Sequence, residues 1–335
     1  MSKLRVLELF GGIGACSKAL ERLGVDYEIA DYVEIDKYAV KSFNAIHNTN
    51  FEPQDICEWN KDIEVDLIMH GSPCQSFSLG GKQDGGDKGS GTRSSLMWET
   101  VRIVEKLKPK YVIWENVKNL LSKKHRHNFD AYLETMEQLG YRNYYQVLNA
   151  KDYGIPQNRE RVFTISIKNE VNNEFVFPEK HKETKKLKEF LTIENYCDYK
   201  IKTFLEFTNF YTIPRGSDGK LINGSYNRVW KKENYIGTIN LTKIIEIAEK
   251  VDNTLLIKKI TPKESWKLMG FDDEDFEKAA QVNSNTQLYK QAGNSIVVNV
   301  LEAILTNLLL EPVTTNQETI EGQTTIFDYI GDSNE

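Results

Sequence analysis

Short apolar runs of β type alternate with amphipathic helical patterns from residue 4 to about 168. The runs are LRVLELF (4–10), YEIADYVEI (27–35), VDLIMHG (65–71), YVIWENV (111–117) and RVFTISI (161–167). Between them CSKALERLG, KYAVKSFNAIH, SSLMWETVRIVEKLK and NFDAYLETMEQLG carry apolar side chains at helical spacing. Strands alternating with helices of this length predict βαβ units, and therefore an α/β, doubly wound, mostly parallel sheet. Between 179 and 258 the pattern dissolves into Lys, Asn, Tyr and Gly at irregular spacing, which predicts a smaller, loop-rich second domain. Helical periodicity returns in TPKESWKLMGF (261–271) and in the strongly apolar QAGNSIVVNVLEAILTNLLL (291–310), with a cap expected at Asn294 or Ser295. Residues from 312 onward are polar and read as a tail.

Composition narrows the class. The 335 residues carry 43 basic and 49 acidic side chains, a net charge of −6, so any nucleic-acid binding must come from local basic patches. Cys16, Cys57, Cys74 and Cys197 are far apart and form no C-x-x-C pair; neither a metal site nor a disulfide framework is expected, and a reducing cytoplasm fits. No apolar stretch reads as a leader or a membrane span, so a soluble protein is expected.

The chemistry-bearing residues fall where strands end. Phe10-Gly11-Gly12-Ile13-Gly14 joins the first strand to the first helix, the place where a doubly wound sheet binds a nucleotide. Ser17 stands where a dinucleotide fingerprint needs its third glycine, so a shorter, nearly neutral adenosyl ligand fits better than a pyrophosphate. Glu34-Ile35-Asp36 ends the second strand about 20 residues further on, where an acid can accept from ribose hydroxyls. Asp55-Ile56 offers a second acid for an adenine amino group. Cys74 follows VDLIMHG in a loop stiffened by Pro73 and flanked by Gly71, Gly80 and Gly81. A cysteine in isolation is more often a small buried hydrophobe, but in a loop supplied with cationic groups or amides it becomes a thiolate nucleophile. Glu115-Asn116-Val117 ends YVIWENV, and a glutamate partly desolvated by such a strand suits proton donation near neutrality; a capping or ion-paired role is the alternative. In Gln157-Asn158-Arg159-Glu160-Arg161 the spacing of two puts Gln157, Arg159 and Arg161 on one face, presenting two guanidinium forks.

Together these segments resemble the DNA (cytosine-5) methyltransferases of bacterial or phage type. The matching elements, in order, are ELFGGIGACSKAL, VEID, DI, GSPCQSFS, ENV, QNRER, TPKESWKLMGF and QAGNSIVVNV. The resemblance implies a Rossmann-like methyltransferase sheet with a smaller recognition domain. It groups 1–178 plus 288–311 as the catalytic, S-adenosylmethionine-binding domain, 179–287 as the target-recognition domain with its hinge, and 312–335 as the tail. It implies S-adenosylmethionine as cofactor, S-adenosylhomocysteine as product, and no metal. Phe10 stacks on the adenine, Gly12, Ile13, Gly14 and Pro73 line the pocket, Glu34 holds the ribose, Ile35, Asp55 and Ile56 frame the adenine, and Asn294 and Ile296 close it.

By the same resemblance Cys74 attacks C6 of a cytosine while Glu115 donates to N3, Arg161 holds the base carbonyl, Arg159 a backbone phosphate, and Gln157 sets their geometry. The base must leave the duplex stack, and the glycine-rich 79–92 reads as the loop that closes over it. Gln75 and Arg93 match family positions, although Arg93-Ser94-Ser95 replaces the usual arginine-glycine-threonine. Arg215, Asn227, Arg228 and Thr238 are the expected contacts to double-stranded DNA. The alternatives are tRNA cytosine-5 methylation and a non-catalytic homologue that only binds. A monomer is expected. In the tail, Gln323 followed by Ile326 and Phe327 resembles the peptides with which bacterial proteins dock onto the replication sliding clamp; the alternative is that Ile326, Phe327 and Tyr329 pack back onto the large domain.

Overall fold

The computed structural model describes residues 3–74, 77, 85–181, 185–192, 199–201, 205–206, 210–212, 228–231, 236–239, 246–311 and 324–325. In chain order the elements are β1 (Leu4–Leu9), α1 (Ala15–Arg22), β2 (Tyr27–Val33), α2 (Lys37–His47), β3 (Leu67–His70), α3 (Met97–Leu107), β4 (Tyr111–Val117), α4 (Arg126–Gln138), β5 (Tyr141–Asn149), β6 (Gln157–Asn158) and β7 (Glu160–Lys168). They continue with β8 (Tyr199–Ile201), β9 (Leu205–Glu206), β10 (Phe210–Thr212), β11 (Arg228–Lys231), β12 (Ile236–Gly237), β13 (Glu246–Val251), β14 (Thr254–Lys259), α5 (Pro262–Lys267), α6 (Asp273–Ala280), α7 (Asn285–Asn294), α8 (Val298–Leu305) and β15 (Thr324–Thr325). Two compact units result: Met1–Leu148 with Glu160–Glu179 and Val300–Glu335, and Asn149–Arg159 with Lys180–Asn299.

The first unit is a mixed sheet in the order β15-β5-β7-β4-β3-β1-β2. β1, β2, β3 and β4 run parallel, with His70 opposite Trp114 across β3 and β4. Their near-continuous apolar character follows from burial of both faces by helices. Leu7, Leu9, Ile68, Val104, Val112, Trp114, Phe129 and Tyr132 form one buried core. β7 runs antiparallel to β4, pairing Arg161 with Val117 and Glu115 with Phe163. That reversal delivers the start of β7 to the edge where the parallel strands end. At the other end of the sheet, Thr324–Thr325 of the tail pairs antiparallel with β5.

Local signals set the helix starts. Asp36 caps α2 by accepting the Tyr38 N–H at 3.0 Å, and Thr261-Pro262 with Glu264 forms a capping box for α5. Residues 285–310 are apolar enough over their length to cross a membrane by composition alone. The chain is nevertheless broken between α7 and α8, and Leu301, Ile304 and Leu305 have no exposed surface. Ser295 therefore ends up between two helices instead of starting one.

The second unit contains a six-stranded sheet, β8-β14-β13-β11-β10-β9, followed by α5, α6 and α7. Residues 149–159 join it because β6 pairs in parallel with β12, Gln157 opposite Ile236. Hydrogen bonds, not composition, decide this membership, and so do those of Arg159 described below.

Candidate active site

The first half of the site is the turn after β1. Phe10 sits at φ +52°, a left-handed conformation that side chains rarely adopt and that strain confines to positions held by their surroundings. Gly12, at φ +57°, has open space where a Cβ would stand, so the backbone is bare there. Gly11 and Gly14 are needed for another reason: a Cβ would run into the Tyr32 ring at the first and into Phe43 and His47 at the second. The Tyr32 hydroxyl donates to the Gly12 carbonyl at 2.6 Å. Glu34 accepts the Gly12 N–H at 3.2 Å and the Asp36 N–H at 2.8 Å, which fixes its carboxylate beside the turn. Burial pushes the Glu34 carboxyl upward, and those N–H donors pull it back.

Ile35 leaves 69% of its surface exposed next to Glu34, an unusual position for a large aliphatic side chain and one suited to a flat apolar ligand. Asp55 is exposed, and its carboxylate accepts the Cys57 N–H at 2.9 Å. Ile13 and Ile56 are buried, so their side chains belong to the core and any cofactor contact falls to their backbones.

A contributor that sequence reading overlooked is Glu8. α1 begins at Gly14 without a side-chain cap, and the buried Glu8 carboxylate accepts the Ser17 N–H at 2.9 Å and the Ser17 hydroxyl. A glutamate from the strand thus does the work of an N-cap. Burial pushes its pKa up to about 7. Only its place inside an apolar run, LRVLELF, hinted that it is buried.

The second half lies at the ends of β3 and β4 and the start of β7. Four residues past His70 comes Cys74, half-buried, its carbonyl accepting the Phe77 N–H at 2.9 Å in a turn. Glu115 and Arg161 form an ion pair, Nε to Oε1 2.9 Å. Behind them Trp114 stacks with His70, ring planes 4° apart and centroids 5.7 Å apart, and its indole N–H donates to Ser72 Oγ at 2.9 Å. Burial pushes His70 down to about 3, so its ring is neutral. Of the glycine-rich segment, residues 85–92 are described: Trp98 Nε1 donates to the Gly86 carbonyl at 2.9 Å, and Thr92 Oγ1 to that of Gly85 at 3.0 Å. Arg93 follows, exposed.

Gln157, Arg159 and Arg161 do not share one face, because the extended run is interrupted at Arg159 between β6 and β7. Arg161 serves the first unit, whereas Gln157 and Arg159 bond within the second. Gln157 accepts the Ile239 N–H at 3.0 Å and donates to the Leu268 carbonyl at 2.8 Å. Arg159, read from the sequence as a backbone-phosphate contact, bonds here to main-chain carbonyls. It is 4% exposed, and its terminal nitrogens donate to the carbonyls of Ile239 (3.1 Å), Gly293 (3.3 Å) and Ser295 (2.7 Å). Thr238 Oγ1 donates to the Asn158 carbonyl at 3.0 Å. Asn294, exposed at the end of α7, and Ile296, half-buried, also lie in the second unit. Gln75, Arg215, Asn227, Gln323, Ile326 and Phe327 fall outside the described residues, as does the side chain of Arg228.

Residues 4–309 match the family described as C-5 cytosine-specific DNA methylase. The chain is 34% identical to the type II methyltransferase M2.ScrFI of Lactococcus lactis subsp. cremoris, covering 91% of this chain and 99% of that protein. It is 32% identical to the type II methyltransferase M.HhaI of Haemophilus parahaemolyticus, covering 92% and 95%. Among solved structures, the S. pombe Dnmt2 methyltransferase superposes with a TM-score of 0.68 at 19% identity over 92% of this chain and 99% of that one, a likeness of fold.

Proposed function

The chain belongs to the C-5 cytosine-specific DNA methylases, and we propose that it methylates C5 of a flipped-out cytosine in duplex DNA through a covalent bond from Cys74 to C6. One observation carries the reading: Cys74 follows β3, Glu115 lies near the end of β4 before Val117, and Arg161 lies at the start of β7, with Arg161 paired to Glu115 at 2.9 Å.

Cytosine C5 is too poor a nucleophile to take a methyl group directly. The Cys74 thiolate adds to C6 as Glu115, having taken up a proton from solvent when the base binds, gives a hydrogen bond or that proton to N3, making C5 enamine-like. S-Adenosylmethionine, when bound, supplies an electrophilic methyl group and leaves as S-adenosylhomocysteine. Loss of the C5 proton then restores the C5–C6 double bond and expels the thiolate. Arg161 orients Glu115 and offers its remaining donors to the base carbonyl.

The residues present suit such a cofactor: the bare backbone at Gly12, the fixed Glu34 carboxylate, the exposed Ile35 and the ring of Phe10. By the family resemblance Asn294 and Ile296 are further cofactor-binding residues. Arg215, Asn227, Arg228, Thr238, Gln75 and Arg93 contact the DNA, and the enzyme acts as a monomer. The Gln323, Ile326 and Phe327 spacing supports docking of the tail onto a sliding clamp. A pull-down with purified clamp that is unchanged by Gln323→Ala and Phe327→Ala would dispose of that role.

The test of the chemistry is a duplex carrying 5-fluorocytosine. With cofactor present, native protein should form a denaturation-resistant adduct and Cys74→Ala none. No adduct in either, or equal adduct in both, overturns the reading, and a clear preference for tRNA over duplex DNA would change the substrate.

A further inference from the structure

Two reacting groups on separate strands must be held at a fixed spacing, and the sheet alone does not hold this one. Glu115 lies within β4, but Cys74 lies four residues beyond the end of β3, where ladder hydrogen bonds no longer hold the chain. A buried side-chain bond spans the gap. The Trp114 indole N–H donates to Ser72 Oγ at 2.9 Å, and both residues are buried, 1% and 3% exposed.

The indole end of that bond is packed in place. The indole is fixed on one side by the His70 ring, and on the other by Tyr132, centroids 4.1 Å apart, with Phe129 at 6.0 Å. Tyr132 in turn has its hydroxyl 3.3 Å from His70 Nε2. Beyond Ser72 only Pro73, with its locked φ, separates the anchored residue from Cys74. Trp114 is also the residue immediately before Glu115. A short covalent and hydrogen-bonded path, Glu115 to Trp114 to Ser72 to Pro73 to Cys74, therefore links the two groups.

We infer that Ser72 and Trp114 are positioning residues that set the distance between the Cys74 thiolate and the Glu115 carboxyl. The inference rests on the chemistry proposed above for those two groups. A buried indole N–H needs an acceptor in any case, so the test must read more than stability. Ser72→Ala removes the acceptor and little volume. It should lower the single-turnover rate of methylation, and the rate of adduct formation with 5-fluorocytosine DNA, by about tenfold, since small misplacements of reacting groups are costly. The dissociation constants for cofactor and for DNA should stay within about twofold of native, because only the reacting geometry changes.

Trp114→Phe should cause a similar loss, and the double variant should be no slower than the worse single one, because both break the same link. Rates for Ser72→Ala within about twofold of native overturn the inference, as do losses that multiply in the double variant. If Trp114→Phe fails to fold, Ser72→Ala decides alone. Absence of an adduct with native protein overturns the Cys74 chemistry itself and this inference with it; equal adduct rates in native and Ser72→Ala protein overturn the inference only.

Discussion

Arg161 Nε meets Glu115 Oε1 at 2.9 Å, with the two side chains only 17% and 12% exposed. Such a pair holds the carboxyl in one orientation while the guanidinium keeps donors for a second partner. Arg161→Lys preserves the charge but not the planar fork, and an ammonium on a flexible stem does not fix carboxylate and base carbonyl in that geometry. Single-turnover methylation should fall by about a hundredfold, with the melting temperature little changed. Arg161→Ala should be slower still and also less stable, because it leaves Glu115 without its partner.

Arg159 offers a contrast that a salt titration can read. Were it a phosphate ligand, Arg159→Lys would keep DNA binding and its salt dependence largely as they are, and Arg159→Gln would reduce the slope by about one. With its donors on the carbonyls of Ile239, Gly293 and Ser295, Arg159→Gln should leave the slope unchanged. It should instead lower stability by about 1–3 kcal/mol through unsatisfied buried carbonyls, measured by denaturant unfolding.

The two glycines of the first turn should separate stability from binding. Gly14→Ala forces a Cβ at φ +81° into Phe43 and His47 and should lose stability by about 1–3 kcal/mol. Gly12→Ala meets no neighbour and should fold, at a cost of about 1–2 kcal/mol for its positive φ. Its methyl group would fill the bare backbone, so cofactor affinity by calorimetry should fall at least tenfold for Gly12→Ala, on the order of one lost close contact.

Glu8 should leave a signature in stability against pH. Its carboxyl is raised from 4.5 to about 7 by burial, so the folded state binds a proton that the unfolded state has released. The stability it contributes is full below about 4.5 and is lost as pH rises toward 7. Glu8→Gln keeps an acceptor for the Ser17 N–H without that titration. Its unfolding free energy should vary less with pH across this window than that of native protein.

The parallel half of the candidate site was legible because each candidate residue falls at or after the end of an apolar run, and parallel strands must end at a common edge. The direction of β7 was not, since periodicity of two reads the same forwards and backwards; only the register of Arg161 opposite Val117 brings its first residues to that edge. The same blindness put Gln157 and Arg159 beside Arg161, although a one-residue interruption sends their hydrogen bonds elsewhere. Glu8, Tyr32, Ser72 and Trp114 were invisible for a different reason. Each acts through buried or partly buried hydrogen bonds to a residue 9 to 42 positions away, and no local pattern encodes such a partner.

The carboxylate seated at the start of α1 has a consequence for what the pocket refuses. Nucleotide-binding sheets commonly leave the amides of that first turn bare, and a phosphate settles on them. Here Glu8 already occupies the amide of Ser17 from within the protein, so a phosphorylated nucleotide would find its seat taken and, as pH rises, a like charge waiting there. The fold can therefore keep the adenosine-binding half of a dinucleotide site while turning away the abundant cellular nucleotides that carry phosphates.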